Sequence, residues 1–245
     1  MRSASTSPPC GTQPAARPAR APLRTPPGGA YDPAMQTKPL LAEAFGTFLL
    51  VFIGAGAGAL GLGGLNGVAL AHGIALMVIV YALGGVSGAH VNPAVTFGIA
   101  AAGKMEWSKA VQYWVAQLGG ALVAALVLKY VLDDRAGTLG ATTLAPDVSA
   151  SRGVVLEAVL TCFLTAAVMV SGVLGKNGSA AGLAIGTVLT MDILMGGPLT
   201  GASMNPARTL GPGIVAGELK DAWVYILGPC AGGAAGALLA KHLHS

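Results

Sequence analysis

The chain has 245 residues, of which 53% are hydrophobic and only 10% are charged. A soluble domain of this size carries about 25% charged residues, so a fold whose whole surface faces water is excluded. The net charge of +4 comes largely from the tails and loops, which indicates membrane orientation rather than nucleic-acid binding. The three cysteines have no paired or metal-ligand spacing, so no metal or other cofactor is expected.

Residues 1 to about 34 differ from the rest of the chain. They contain eight of the fifteen prolines, four arginines and one acidic residue, Asp32. Such a segment cannot bury a core, and we expect a disordered Pro/Arg-rich tail. Its acid-poor composition is also typical of a transit peptide, although the prolines oppose an amphipathic helix. A third interpretation is that Met35 is the true start of the protein.

Residues 35–245 are expected to form a single membrane domain. Uncharged apolar runs predict six membrane-spanning helices, because about 20 residues are needed to cross a bilayer core. We expect them at about 39–60, 67–86, 107–130, 152–173, 179–196 and 221–241. Two further apolar segments are expected to enter the membrane without crossing it, at about 87–102 and 198–215.

The two halves of this domain repeat. Glu43 in the first span and Glu157 in the fourth lie 114 residues apart, and two Asn-Pro-Ala triplets begin at Asn92 and Asn205, 113 residues apart. Three spans per half mean that the second half enters the membrane from the opposite side, which gives an inverted repeat. The expected halves are about 39–131 and 152–242.

The distribution of lysine and arginine favours cytoplasmic locations for both termini. On this topology nine basic residues are cytoplasmic, namely Arg2, Arg17, Arg20, Arg24, Lys38, Lys104, Lys109, Lys176 and Lys241. The four on the outer side are Lys129, Arg135, Arg152 and Lys220, and Arg208 falls within the membrane. We therefore expect a multi-pass protein of the lipid bilayer, in the plasma (cell inner) membrane.

Each triplet begins an apolar segment that is too short to span the bilayer. About nine helical residues rise roughly 13 Å, against a hydrocarbon core of ~30 Å. Proline suits the first turn of a helix, so we expect Pro93 and Pro206 at the N1 positions and Asn92 and Asn205 as N-caps. Inverted symmetry brings both helix N-termini together near the mid-plane, where their positive ends oppose a cation or a proton.

The residues that precede each triplet are expected to turn backbone carbonyls toward a single-file path. These residues are Gly88, Ala89 and His90 in the first segment and Gly201 and Ser203 in the second. Buried carboxylates need hydrogen-bond donors, and we expect Glu43 and Glu157 to brace the re-entrant loops by accepting bonds from their N–H groups. The alternative is that the two glutamates only cap helix starts at the interface.

The segments 87–96 and 201–208 resemble the two signature motifs of the aquaporin, or major intrinsic protein, family. The resemblance covers about residues 36–242. It implies an all-α right-handed bundle of six transmembrane helices with two re-entrant half-helices, a homotetramer with one pore per subunit, and passive conduction rather than enzymatic activity. The pore centre would then be formed by the two triplets, Asn92, Pro93, Ala94, Asn205, Pro206 and Ala207.

By position, the resemblance assigns a narrow outer selectivity filter to His72, Ile193, Ala202 and Arg208. This set is similar to that of the tonoplast intrinsic proteins and of ammonia-permeable aquaporins, whereas water-specific members usually carry Phe on the second span and His on the fifth. It implies a wider constriction that passes water and ammonia, with urea and hydrogen peroxide as further candidates. Glycerol is disfavoured, because relatives that conduct it have Asp where Thr209 stands.

Alternatives to a water channel remain at this stage. A secondary transporter also uses inverted repeats and broken helices, but the re-entrant segments carry no carboxylate for a coupling ion. A glycerol or urea facilitator and a structural membrane protein are further alternatives. Asp192, beside Ile193, departs from the family pattern, and its position fits either the outer mouth or a subunit contact.

Overall fold

The computed structural model of the protein describes residues 33–245, and side chains from residue 37 onward. The expected tail, apart from its last two residues, lies outside this range. Every helix of more than five residues within it is named in chain order. They are α1 (Pro33–Leu60), α2 (Gly64–Ser87), α3 (Pro93–Ala101), α4 (Trp107–Leu132), α5 (Ala150–Val168), α6 (Ala181–Thr200), α7 (Pro206–Ala216) and α8 (Val224–Leu243).

Six of these helices are long and apolar enough to cross a membrane, namely α1, α2, α4, α5, α6 and α8. The other two, α3 and α7, have 9 and 11 residues. At 1.5 Å per residue they rise about 13 and 16 Å, roughly half of the hydrocarbon core. The prediction of six spans and two half-helices is therefore confirmed.

Most helix ends lie within three residues of the sequence-based expectation, with the π-helical continuation of α5 to Val173 included, and two lie further away. Helix α1 begins at Pro33 rather than near residue 39, and α6 continues to Thr200 rather than ending near 196. Pro198 lies within the last turn of α6 and does not stop it. The helix ends instead at Gly201, whose φ of 77° is left-handed and whose N–H donates to the carbonyl of Gly197.

Each half-helix packs against a membrane span from the other half of the repeat. Helix α3 packs against α8, and α7 packs against α4, so each half-helix rests on a span of the other half. Glycines allow these contacts: a Cβ on Gly98 would lie 2.3 Å from the carbonyl oxygen of Gly233, and one on Gly211 would lie 2.7 Å from that of Ala121. Small residues thus seat both half-helices in the interior of the bundle.

The backbones of membrane spans approach each other as closely. A Cβ added to Gly120 on α4 would lie 2.1 Å from the carbonyl oxygen of Ala44 on α1, and one added to Gly232 on α8 would lie 1.9 Å from that of Ala158 on α5. Both distances are below the 3.0 Å that real Cβ atoms respect. The repeat therefore extends to backbone contacts, which fix how closely the spans approach.

Gly120→Ala should destabilise the protein, because the clash is with backbone and cannot be relieved by rotating a side chain. We expect a loss of about 1–3 kcal/mol, the cost of overpacking, seen as a lower thermal midpoint in detergent. The matched control is Gly119→Ala, since a Cβ at Gly119 meets no atom within 4 Å. That variant should be neutral or slightly more stable, and equal midpoints for the two variants would contradict the packing argument.

Candidate pore and its constriction

Both asparagines of the Asn-Pro-Ala triplets cap a half-helix. The side-chain oxygen of Asn92 accepts hydrogen bonds from the N–H groups of Ala94 (2.8 Å) and Val95 (3.4 Å), with Pro93 in the first turn. In the second half, Asn205 Oδ1 accepts bonds from Ala207 and Arg208 at 3.0 and 3.3 Å, and Pro206 follows it. The predicted N-caps are therefore present at both half-helices.

The loops before the two half-helices have the same backbone conformation. Ala89 and Val91 have φ values of 50° and 42°, and the equivalent Ala202 and Met204 have 45° and 54°. Left-handed φ values are costly for residues with a Cβ, on the order of 1–3 kcal/mol each, and persist only where the surroundings impose them. Something in the bundle must hold these loops in place.

In the first half the loop is held by Glu43. Its carboxylate accepts bonds from the N–H of His90 (2.9 Å), the N–H of Val91 (2.6 Å) and the hydroxyl of Ser87 (2.6 Å). Gln117 on α4 donates a fourth bond of 2.7 Å. Glu43 is fully buried and lies well inside α1, away from the start of the helix.

The second half repeats this arrangement with Glu157. This carboxylate is also fully buried, and it accepts bonds from the N–H groups of Ser203 (3.0 Å) and Met204 (2.7 Å) and from the hydroxyl of Thr200 (2.7 Å). Three charge-assisted bonds satisfy a carboxylate that would be costly if unpaired. The left-handed loop residues are thereby fixed from the side of α5.

The two loops are also joined to each other. Asn92 Nδ2 donates to the carbonyl of Met204 at 2.8 Å, and Asn205 Nδ2 donates to the carbonyl of Val91 at 2.9 Å. An amide nitrogen carries two hydrogens, so each asparagine keeps one more donor. The two capping asparagines, 113 positions apart in the chain, thus each bond to the loop of the other at the junction of the half-helices.

A narrow cavity lies at this junction. Its volume is about 20 Å³, little more than the roughly 10–15 Å³ that one water molecule requires. The polar side chains in its wall are His72, His90, Asn92, Ser203, Asn205 and Arg208. The rest of the wall is apolar, formed by Ala89, Val91, Leu50, Leu76, Val95, Leu164, Val168 and Leu189. The wall of the cavity is therefore partly polar and partly apolar.

Of the four residues assigned to the outer filter, the structure brings two into the wall of this cavity. His72 Nδ1 lies 2.8 Å from the carbonyl of Val68, while Nε2 has no hydrogen-bond partner within residues 33–245. Arg208 donates to the carbonyl of Gly140 at 2.7 Å. Ile193 and Ala202 are buried but do not contribute to the wall, and their place in a filter stays a prediction.

The five residues expected to supply pore carbonyls lie in the two left-handed loops. Ala89, His90 and Ser203 contribute to the cavity wall, whereas Gly88 and Gly201 do not. The carbonyls that accept the asparagine amides belong to Val91 and Met204, which sequence reasoning did not select. The His90 ring is itself fixed, because Nδ1 lies 3.1 Å from the hydroxyl of Thr96.

Three further polar residues support the loops and were not predicted. Tyr113 donates to the carbonyl of Ser87 at 2.8 Å, and Tyr225 donates to that of Thr200 at 2.7 Å. The third is Gln117. The tyrosines lie 112 residues apart at matching places in α4 and α8, so alignment of the two halves is the signal that could have identified them.

Asp192 lies away from the narrow cavity. Its side chain is 2% exposed and contributes to a groove of about 710 Å³ between α5 and α6, whose other residues include Leu156, Leu160 and Met195. Its Oδ2 atom has no hydrogen-bond partner in the described part of the chain. The groove is distinct from the cavity at the half-helix junction, so Asp192 has no part in its wall.

Comparisons with known proteins agree with this architecture. The sequence profile of the family described as "Major intrinsic protein" matches residues 32–240. Aquaporin NIP1-1 of Oryza sativa subsp. japonica is 42% identical over 206 residues, covering 81% of this chain and 71% of that protein. Aquaporin TIP1-2 of Zea mays is 43% identical over 215 residues, covering 82% and 84%.

A solved structure extends the comparison to three dimensions. The aquaglyceroporin from Plasmodium falciparum superposes with a TM-score of 0.69 at 26% sequence identity, covering 85% of this chain and 95% of that one. Aquaporin TIP2-1 of Arabidopsis thaliana, at 39% identity, is matched over 86% of this chain and 90% of its own length. The similarity therefore spans the whole bundle rather than the triplets alone.

Proposed function

Because the chain belongs to the major intrinsic protein family of passive membrane channels, we propose that it conducts both water and ammonia and excludes protons and ions. The observation that carries the proposal is the narrow cavity whose wall includes Asn92, Asn205, His72 and Arg208. A cavity whose volume is little more than one water molecule requires favours single-file passage. The chain is a channel and not an enzyme, and the choice of solute is the part that we propose.

Water passage is supported by the spare donors at the loop junction. One hydrogen of each asparagine amide is used by the opposite loop, and the second can bind the oxygen of a passing molecule. The apolar part of the wall offers no competing bonds. A water molecule at this point is therefore bound by fixed donors and released easily along the path, which is what conduction requires.

Ammonia passage is supported by the chemistry of His72. With Nδ1 beside the carbonyl of Val68, the neutral ring carries its hydrogen on Nδ1, and Nε2 is an acceptor with no partner among the described residues. Ammonia has three N–H donors and one lone pair. An imidazole acceptor and the guanidinium of Arg208 in one wall suit both ends of that molecule, and they suit water equally.

Exclusion of cations is supported by three positively charged features near the path: two helix N-termini and the side chain of Arg208. The N-termini of α3 and α7 meet at the junction, each equivalent to roughly half a positive charge. Arg208 adds a full charge and forms no salt bridge with a carboxylate in the described residues; its guanidinium donates to the carbonyl of Gly140. A cation or proton would have to enter this field after losing much of its hydration, which raises its energy.

A glycerol facilitator is the second candidate, because the solved structure that superposes on this chain is titled an aquaglyceroporin. The relatives named TIP and NIP match at similar identity, so their names do not decide the solute. Thr209 weighs against glycerol. Its hydroxyl is used in bonds within the fold, to Ser203 (2.6 Å) and Thr142 (2.8 Å), and so is not offered to a polyol in the pore.

His72→Phe should lower ammonia permeability more than water permeability, because the ring loses the Nε2 acceptor and fills the cavity. We expect at least a fivefold fall in the ammonia-to-water ratio, measured by stopped flow on proteoliposomes under ammonia and osmotic gradients. The matched control is Ile74→Phe on the same helix, since Ile74 is half exposed on the outer surface. Rapid water flux with no ammonia flux in the wild-type protein would remove ammonia from the proposal.

The proposal includes a homotetramer with both termini in the cytoplasm. Apolar side chains are exposed along α5 and α6, among them Val155 (63%) and Met195 (59%). Both flank the groove that would lie against lipid or a neighbouring subunit. Cross-linking in native membranes tests the tetramer, and protease access to tags at each terminus in sealed vesicles tests the topology.

A further inference from the structure

The half-helices carry an equivalent threonine, Thr96 on α3 and Thr209 on α7, each four residues after its capping asparagine. Both side chains are buried, at 0% and 2% exposure. In each case the hydroxyl contacts the residue two positions before the capping asparagine: Thr96 lies 3.1 Å from His90 Nδ1, and Thr209 lies 2.6 Å from Ser203 Oγ. Each threonine thus ties its half-helix to its own loop.

The two threonines differ in their outside support. Gln117 on α4 donates to Thr96 at 3.0 Å as well as to Glu43. When the two halves are aligned, Tyr113 is equivalent to Tyr225 and Gly120 to Gly232, so position 117 is equivalent to Pro229 on α8. Proline has no side-chain donor. The second half therefore lacks the glutamine that supports the first half-helix.

In the second half, a residue outside the repeat contacts the half-helix threonine, as Gln117 does in the first half. Thr142 lies in the connection between α4 and α5, is 4% exposed, and has its hydroxyl 2.8 Å from that of Thr209. The same connection supplies the carbonyl of Gly140 that accepts the bond from Arg208. It also donates from Ala145 N–H to the carbonyl of Leu199 at 2.9 Å. The connection is thus bonded to both sides of the second re-entrant loop.

We propose that Thr142 is a positioning residue for the pore: it supports the second half-helix in place of the glutamine that α8 lacks, and so holds Arg208 against the narrow cavity. The chain of hydroxyls runs from Thr142 through Thr209 to Ser203, which contributes to the cavity wall. Ser203 Oγ donates in turn to the carbonyl of the capping Asn205 at 2.9 Å. The outer connection thereby reaches the pore through three side chains.

This inference rests on the proposed function only where permeability is the readout. Thr142→Val keeps the shape of the side chain and removes the hydroxyl, whereas Thr142→Ser keeps the hydroxyl. In proteoliposomes we expect Thr142→Val to raise the urea-to-water permeability ratio at least threefold, because Arg208 is less well fixed. Thr142→Ser and the exposed neighbour Thr143→Val should retain the wild-type ratio.

Amide hydrogen exchange in nanodiscs gives a readout that does not depend on conduction. We expect exchange across residues 203–210 to be at least threefold faster in Thr142→Val than in the wild-type protein, and unchanged in Thr142→Ser and Thr143→Val. Wild-type exchange rates in Thr142→Val would overturn the positioning role, as would failure of Thr142→Ser to restore them. Absence of water flux in the wild-type protein, with the exchange pattern as expected, would refute the proposed function alone.

Discussion

Glu157→Gln should prevent formation of a stable channel. A glutamine keeps one acceptor oxygen but turns an NH₂ group toward donors that the carboxylate now satisfies, Ser203 N–H, Met204 N–H and the hydroxyl of Thr200. Bonds to a buried charge are worth about 1.5–3 kcal/mol each, so we expect a loss of about 3–5 kcal/mol. Thermal unfolding in detergent and osmotic permeability per incorporated protein measure it.

Two comparisons make this prediction specific. Glu218→Gln changes an exposed carboxylate after α7 and should leave both measurements unaltered. Glu43→Gln should be milder than Glu157→Gln, because the amide of Gln117 can turn and present its oxygen to the new NH₂ group, and the second half has no such residue. If Glu157→Gln were as stable as Glu218→Gln, the loops would not depend on the carboxylate.

Asn205→Asp should admit cations while leaving the protein folded. Aspartate caps a helix as well as asparagine does, so the bonds from Ala207 and Arg208 can persist. The substitution removes the donor to Val91 and adds a negative charge at the half-helix junction. At ~5 Å and an effective dielectric constant of about 20, that charge stabilises a passing cation by about 3 kcal/mol, roughly a hundredfold in population.

Proton and potassium flux into proteoliposomes loaded with a pH-sensitive or potassium-sensitive dye measures the effect. We expect at least a tenfold rise for Asn205→Asp over the wild-type protein. Asn66→Asp adds the same charge at the exposed first turn of α2 and serves as the control. Equal flux in the two variants would show that the junction of the half-helices is not where cations are stopped.

The features that sequence predicts well are those decided within about 20 residues of chain. An apolar run of sufficient length makes a span, and Asn-Pro at the start of a short apolar segment makes a capped half-helix, as found at Asn92 and Asn205. The end of α6 lies four residues beyond the predicted end near 196, and Pro198 is inside the helix. The left-handed Gly201 is what ends the helix.

Contacts between the halves were not predictable from local pattern. The bonds from Asn92 to Met204 and from Asn205 to Val91 join residues more than 110 positions apart, and they exist only after the halves are folded together. Ile193 and Ala202 were assigned to a filter by position in a motif. Neither lies in the wall of the narrow cavity, and their place in a filter stays a prediction.

The reciprocal bonds between the loops bear on how the protein is made. During synthesis the first three spans and α3 enter the membrane before the second half exists. Until α5 and α7 arrive, Asn92 Nδ2 lacks its acceptor on Met204 and α3 lacks α8 to rest on. A chain halted at that stage lacks the part of the cavity wall that Ser203, Asn205 and Arg208 form. The narrow cavity therefore takes shape only after both halves of the repeat are in the membrane.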